Sequence, residues 1–288
     1  MQNQRTQNHR IQFRRINQHY KKPKFLINKF FKKHQEPVKQ EKTRNKTEFS
    51  LLILALFSVC IVLSCRKPVD NGLYKEPKWN LIFQDDFNDS TLNRLAWSPY
   101  TSLGQESNGL RRPEAFTLKD GNLVITAAMI DSKLISGGMA QNINQTFGKF
   151  EFRVRAEKDS SDAMSAVVLT WPQSERWPMD GENDIYETGT NGDRHAFYTN
   201  IHYGTSANTQ HSFVHEADAS IWHVMSMEWT SDYIKIYRDS SLVWTITDKN
   251  AIPIVNHHLC IQLDAFKPTI NKPVHMFVDW VKIYSLGK

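Results

Sequence analysis

The stretch Trp177-Pro178-Met179-Asp180-Gly181-Glu182-Asn183-Asp184-Ile185-Tyr186-Glu187 places three carboxylates, at 182, 184 and 187, within six consecutive residues. They follow a Pro and Gly turn signal and sit among strand-forming residues, where acidic side chains are normally scarce. On a regular strand side chains two apart share a face, so Glu182 and Asp184 point together and Glu187 points away. One bulge between Asp184 and Glu187 absorbs the extra residue and returns Glu187 to the same face, and bulges are over-represented beside active sites. Three converging carboxyls cannot all ionise readily. One is then protonated near neutrality beside a charged one, which pairs a general acid with a nucleophile. The same triplet also fits a solvated strand edge, a surface turn or a calcium site, and the surrounding chain has to separate these readings.

Outward from the triplet, short strand-like runs recur between turn signals. In Lys149 to Arg155, Phe150, Phe152 and Val154 alternate with Lys149, Glu151, Arg153 and Arg155, giving one buried and one wet face. Further strands are expected over Leu81 to Gln84, Leu123 to Ala127, Ala163 to Trp171, Ala196 to Tyr203 and His223 to Trp229. More follow over Tyr233 to Arg238, Leu242 to Ile246, Leu259 to Ala265 and Val274 to Tyr284. No long segment of helical period interrupts them, so an all-β antiparallel sandwich is expected, without internal repeat or second domain. Cys260 stands alone in the apolar run Leu259-Cys260-Ile261 and is expected buried as a small hydrophobe, leaving a core held by packing rather than disulfides.

The run from Trp177 to Glu187 resembles the active-site signature of glycoside hydrolase family 16, Trp-Pro-x-x-Gly-Glu-Ile-Asp-x-x-Glu, in the variant with an extra residue before the last glutamate. Other segments fall in the family's order. They are Phe83 to Asn88, Asp120 to Ala127, Phe147-Gly148-Lys149-Phe150-Glu151, Ile201-His202-Tyr203-Gly204, Met227-Glu228-Trp229-Thr230 and Val278 to Tyr284. The resemblance implies a β-jelly roll of concanavalin type with a concave cleft, and a double displacement that retains anomeric configuration. It assigns attack on the anomeric carbon to Glu182, general acid and base work to Glu187, and orientation of Glu182 to Asp184. A retaining pair of carboxyls is expected roughly 5 to 5.5 Å apart.

Sugar rings pack their C–H faces on aromatic rings, which makes Trp177 and Trp171 the first candidate platforms, while Trp229 and Trp280 read as structural. The family often carries a cleft-facing His at the position of His202, a candidate partner for Asp184 or the sugar. Two departures bear on which glycan is bound. Many β-glucanases of the family carry Phe-Trp on the strand before the signature, where this chain has Val168-Leu169-Thr170-Trp171. The usual Ser-Gly-Arg reads Ser136-Gly137-Gly138, so a sugar-binding Arg is missing there. Arg111 and Arg112 lie in an expected cleft-side loop and are candidates for a sulfated or acidic sugar, whereas the acidic balance of the domain favours a neutral one.

The net charge of +6 comes from the first 48 residues, which hold 14 Lys and Arg against 3 acids; the remaining 22 basic and 27 acidic residues sum to −5. Residues 1–48 read as a basic disordered region. Residues 49–65 read as a secretory signal, since a short apolar run from Phe49 to Leu63 follows the basic tract and is shorter than a spanning helix prefers. Its end, Val62-Leu63-Ser64-Cys65, resembles a bacterial lipoprotein lipobox with Cys65 as the lipidated residue; an uncleaved anchor is the alternative. Residues 66–78, with Pro68, Gly72 and Pro77, read as a tether, and residues 79–286 as the catalytic domain.

The leading expectation is thus a lipid-anchored, extracytoplasmic endo-β-glycosidase of the cell envelope acting on a β-1,3- or mixed β-1,3/1,4-glucan. Algal galactans, transglycosylation and a non-catalytic carbohydrate-binding protein are the alternatives. No cofactor and no catalytic metal are called for, a structural calcium is compatible, nucleic acid is not an expected partner, and a monomer is expected.

Overall fold

The computed structural model describes residues 77–205 and 209–287. The expectations for residues 1–76, including lipidation at Cys65, lie outside the described residues. The described chain runs through seventeen strands. The first nine are β1 (Trp79–Asp85), β2 (Trp97–Pro99), β3 (Leu110–Arg111), β4 (Phe116–Lys119), β5 (Asn122–Ile130), β6 (Lys133–Ser136), β7 (Gly138–Gln141), β8 (Gly148–Ala156) and β9 (Met164–Pro172). Then come β10 (Glu182–Glu187), β11 (Phe197–Tyr203), β12 (Thr209–His215), β13 (His223–Trp229), β14 (Ile234–Arg238), β15 (Ser241–Ile246), β16 (His257–Ala265) and β17 (Val274–Leu286).

They form two sheets. A seven-stranded sheet runs β12-β11-β10-β9-β16-β7-β2, and a ten-stranded one runs β15-β14-β13-β8-β17-β5-β6-β3, with β1 beside β17 and β4 beside β5. All pairings are antiparallel except that of β3 with β6. The alternation expected around Lys149 holds along all of β8, whose Phe150, Phe152 and Val154 enter the core while the residues between them are half-buried. Between the sheets these side chains meet Ala166, Val168, Ile185, Ile201, Leu259 and Ile261 of the smaller sheet. Full burial of such a side chain contributes about 1.5–3 kcal/mol, and this interlayer core holds the sandwich without any disulfide among the described residues.

The smaller sheet carries apolar residues on its outer face too, which explains why β9 is buried at nearly every position. Ala166 and Val168 belong to the interlayer core, whereas Val167 and Leu169 join Cys260 in a second cluster covered by Tyr100, Ala140 and Trp171. Cys260 is buried as expected, accepts a hydrogen bond from the Tyr100 hydroxyl at 3.1 Å, and its thiol is pushed up to about 12 by burial. This second cluster floors the face on which the carboxylates stand.

Candidate active site

β10 lies inside the smaller sheet, flanked by β9 and β11, and its register slips against both neighbours. Against β11, Asp184 faces Asn200 and Glu187 faces Tyr198, so three steps on β10 match two on its partner. Against β9, Asp184 faces Leu169 and Tyr186 faces Val168. Ile185 is the extra residue, its side chain fully buried in the interlayer core. The bulge expected from spacing is therefore present at the expected place.

Its effect is visible in the partners. β11 keeps regular register with β12, so Asn200 and His202, two apart, share a face. Asn200 Nδ2 donates to Glu187 Oε2 at 2.6 Å, and His202 Nε2 lies 3.0 Å from Asp184 Oδ2. Glu187 and Asp184 thus stand on one face, and Glu182 joins them. Its Oε2 accepts from Trp177 Nε1 at 2.6 Å, and one ligating atom each of Glu182, Asp184 and His202 lie within 4.8 Å of one another. Those three could encircle a cation, but their mutual hydrogen bonds and the Trp177 donor already account for the arrangement.

Burial sets the electrostatics. It pushes all three carboxyls above their ordinary range, aided at Glu182 by the charge of Asp184 and at Asp184 by that of Glu187. His202 and the Trp177 N–H oppose the rise at Glu182, as Asn200 and His202 do at Glu187. The trio therefore gives up its protons later in the pH range than free carboxyls would.

The turn that delivers Glu182 is fixed from several sides. Asp180 accepts from Ser174 Oγ and from Arg176 Nε at 2.9 Å, while its carbonyl accepts from His257 Nε2 at 2.9 Å. Burial holds His257 down to about 4, so it is neutral there, with Nδ1 3.2 Å from Thr170 Oγ1. Asn183 in turn donates to Thr170 Oγ1 at 2.8 Å. A polar chain Asn183–Thr170–His257 therefore runs beneath the signature, tying the strand that bears the acids to the turn before it. Gly181 is required at φ +84°, because a Cβ there would meet Pro253 Cγ at 2.6 Å.

The aromatic candidates each have a polar or charged partner among the described residues. Trp177 spends its indole N–H on Glu182 and lies 6.0 Å from the His202 ring, while Trp171 donates to Glu175 at 2.9 Å and covers the floor cluster. Trp229 is wholly buried and donates to the Pro253 carbonyl. Trp280 is half-buried with Lys282 Nζ 4.8 Å from its ring. Arg111, expected in a loop, sits in the short strand β3 and forms a two-point ion pair with Asp264 of β16. Sequence reasoning did not single out Asn200, Asn183, Thr170 or Asp264. The one signal was polarity: Asn183 replaces the apolar residue of the signature, and a polar side chain buried there needs a partner.

The family model "Glycosyl hydrolases family 16" matches residues 104–281. The chain belongs to glycosyl hydrolase family 16. It is accordingly a glycosidase, and the sandwich around its signature is the family fold. Among curated proteins, the clotting factor G alpha subunit of Tachypleus tridentatus is 24% identical over 238 residues, covering 73% of this chain and 34% of that one. The chain spans about a third of the length of that curated relative. Of solved family structures, the laminarinase from Rhodothermus marinus aligns with 20% identity and TM-score 0.64 over 74% of this chain and 100% of its own. The laminarinase catalytic domain from Thermotoga maritima MSB8 aligns with 17% identity and TM-score 0.63, covering 73% and 99%. A Bacteroides ovatus mixed-linkage-glucan family 16 protein in complex with a G4G4G3G product aligns with 24% identity and TM-score 0.61, covering 70% and 99%.

Proposed function

We propose that this glycosidase is an endo-acting β-glucanase that retains anomeric configuration and cleaves a β-1,3- or mixed β-1,3/1,4-glucan. The observation that carries the reading is the single bulge at Ile185, which turns Glu187 onto the face of Glu182 and Asp184. In the first step the Glu182 carboxylate attacks the anomeric carbon while Glu187 gives its proton to the departing glycosidic oxygen. A glycosyl ester forms on Glu182 and the C–O bond to the leaving sugar breaks. In the second step Glu187, now charged, takes a proton from water as that water attacks the same carbon, and Glu182 departs as carboxylate. Asp184, between them and next to His202, holds Glu182 in line and takes part in sharing the proton of the buried trio.

The substrate class is supported by the laminarinases and the mixed-linkage-glucan protein that share the fold, and by the apolar cluster flooring the face of the carboxylates. On the same reading the enzyme works outside the cytoplasm, held to the bacterial envelope through Cys65.

The test incubates the full-length protein with laminarin, mixed-linkage glucan, agarose and carrageenan, following released oligosaccharides and the anomer first formed by NMR. Oligosaccharides from the two glucans, with the β-anomer formed first, are expected. Glu182→Gln is expected to lose activity below detection and Glu187→Gln to lose about 10²- to 10⁴-fold. Initial release of the α-anomer, or full activity in Glu182→Gln, overturns the mechanism.

A further inference from the structure

On the β10–β9–β16 side of the sheet, two residues along from the acid Glu187, the ladder sets Asp264 directly opposite Ser165, as it sets Glu187 opposite Val167. Asp264 is reached from outside the sheet. Arg111 Nε donates to Oδ1 at 2.7 Å and Nη2 to Oδ2 at 2.8 Å, the planar fork meeting the carboxylate at two points. Only one edge of the guanidinium is used in this way; Nη1 makes no hydrogen bond to any described residue. The Arg111 side chain keeps 17% of its exposure and that of Asp264 9%, so the pair is largely but not wholly closed off.

Tyr100 completes the corner. Its hydroxyl is anchored on Cys260, its ring lies 5.7 Å from Arg111 Cζ, and its Cδ2 would be 2.7 Å from any Cβ placed on Gly138. Gly138 is thus bare because Tyr100 occupies the space a side chain would need. Ser165 is 1% exposed and its hydroxyl has no partner among the described residues, so the polar groups here are not all spent on one another. The corner is continuous with the reacting groups, since Asp264 bears on the Glu187 carboxyl and Cys260 feels Glu182.

We propose that Arg111, Asp264 and Tyr100 form a specificity-determining subsite that takes the adjacent hydroxyls of a neutral sugar unit and turns away anionic glycans. A free N–H edge beside carboxylate oxygens with unused lone pairs offers a donor and an acceptor side by side, which suits two neighbouring hydroxyls of one ring. A sulfate or uronate gains little there. The Arg111 charge is already paired with Asp264, and the catalytic carboxyls lie on the same face, so an incoming anion finds that guanidinium compensated. On this proposal Arg111 serves a neutral sugar rather than a sulfated one.

The proposal rests on the β-glucanase reading, and wild-type inactivity on both laminarin and mixed-linkage glucan would remove that reading before the subsite is tested, the glucan that is cleaved serving as substrate for the variants. With wild type active, two variants of the full-length enzyme decide. Arg111→Met, checked for folding by its melting curve, is expected to lose about tenfold or more in kcat/KM on that glucan, chiefly through KM, as one charge-assisted hydrogen bond is lost. Asp264→Asn leaves Arg111 uncompensated, and carrageenan is expected to inhibit its glucan hydrolysis at about tenfold lower concentration than with wild type. If Arg111→Met fails to fold, the Asp264→Asn arm decides alone. Either value staying within about threefold of wild type, in a folded variant, overturns the assignment.

Discussion

Asn200 shows how much of the site rests on single side chains. Its amide donates to Glu187 Oε2 at 2.6 Å, and a donor favours the charged carboxylate. Removing it lets burial push Glu187 further up, so in Asn200→Ala the alkaline limb of the kcat/KM profile is expected to move to higher pH. The optimum rate is expected to fall about tenfold, as befits one hydrogen bond to a charged group. A limb that stays in place or moves down refutes this role. At this scale the sequence disclosed what spacing alone can disclose. Glu182, Asp184 and Glu187 were legible because three acids in one strand are costly without a reason. Asn200 and Asp264 were not, because their meaning comes from residues far along the chain, Glu187 and Arg111, that only the ladder brings near.

The strand that bears the acids depends on what precedes it and on the residue it accommodates. Gly181 turns the chain at φ +84° against Pro253, and Gly181→Ala is expected to cost about 1–3 kcal/mol while displacing Glu182, so that melting temperature and kcat fall together. Loss of stability with unchanged kcat would show that the turn does not position the nucleophile. The long strands were readable from alternation or from apolar runs, and β8, β9, β13, β16 and β17 lie where periodicity put them. The short β2, β3, β4, β6 and β7 were not, having two to four residues each, too few to show a period. β12 escaped for another reason. It is an edge strand, Thr-Gln-His-Ser-Phe-Val-His, largely exposed and polar, as edges that must not recruit other chains tend to be.

For the molecule as a whole, the cleft is a source of instability that the interlayer core offsets. Carboxyls raised by burial make the folded state prefer protons. Their contribution is therefore intact at low pH and is lost as pH climbs through the ordinary carboxylate range towards the raised folded values. Asp184→Asn removes one such group, and its melting temperature at pH 7 is expected to exceed that of wild type. The gain should be about 2–4 °C for each kcal/mol recovered, shrinking to nothing as pH drops below the usual aspartate range. A variant less stable than wild type at pH 7 would show that Asp184 supports the fold. The two-layer architecture itself was legible from the absence of helical period, whereas the assignment of each strand to one layer or the other was not, since neighbours in sequence often lie in different sheets.

The first strand runs antiparallel to the last, with Trp79 opposite Leu286, and both belong to the larger sheet. The polypeptide therefore enters and leaves this body at a single doorstep, and no strand of the grooved layer has to be cut to splice it into something larger. Such a body can travel between genes as a cassette, in keeping with its match to about a third of a much longer Tachypleus tridentatus protein.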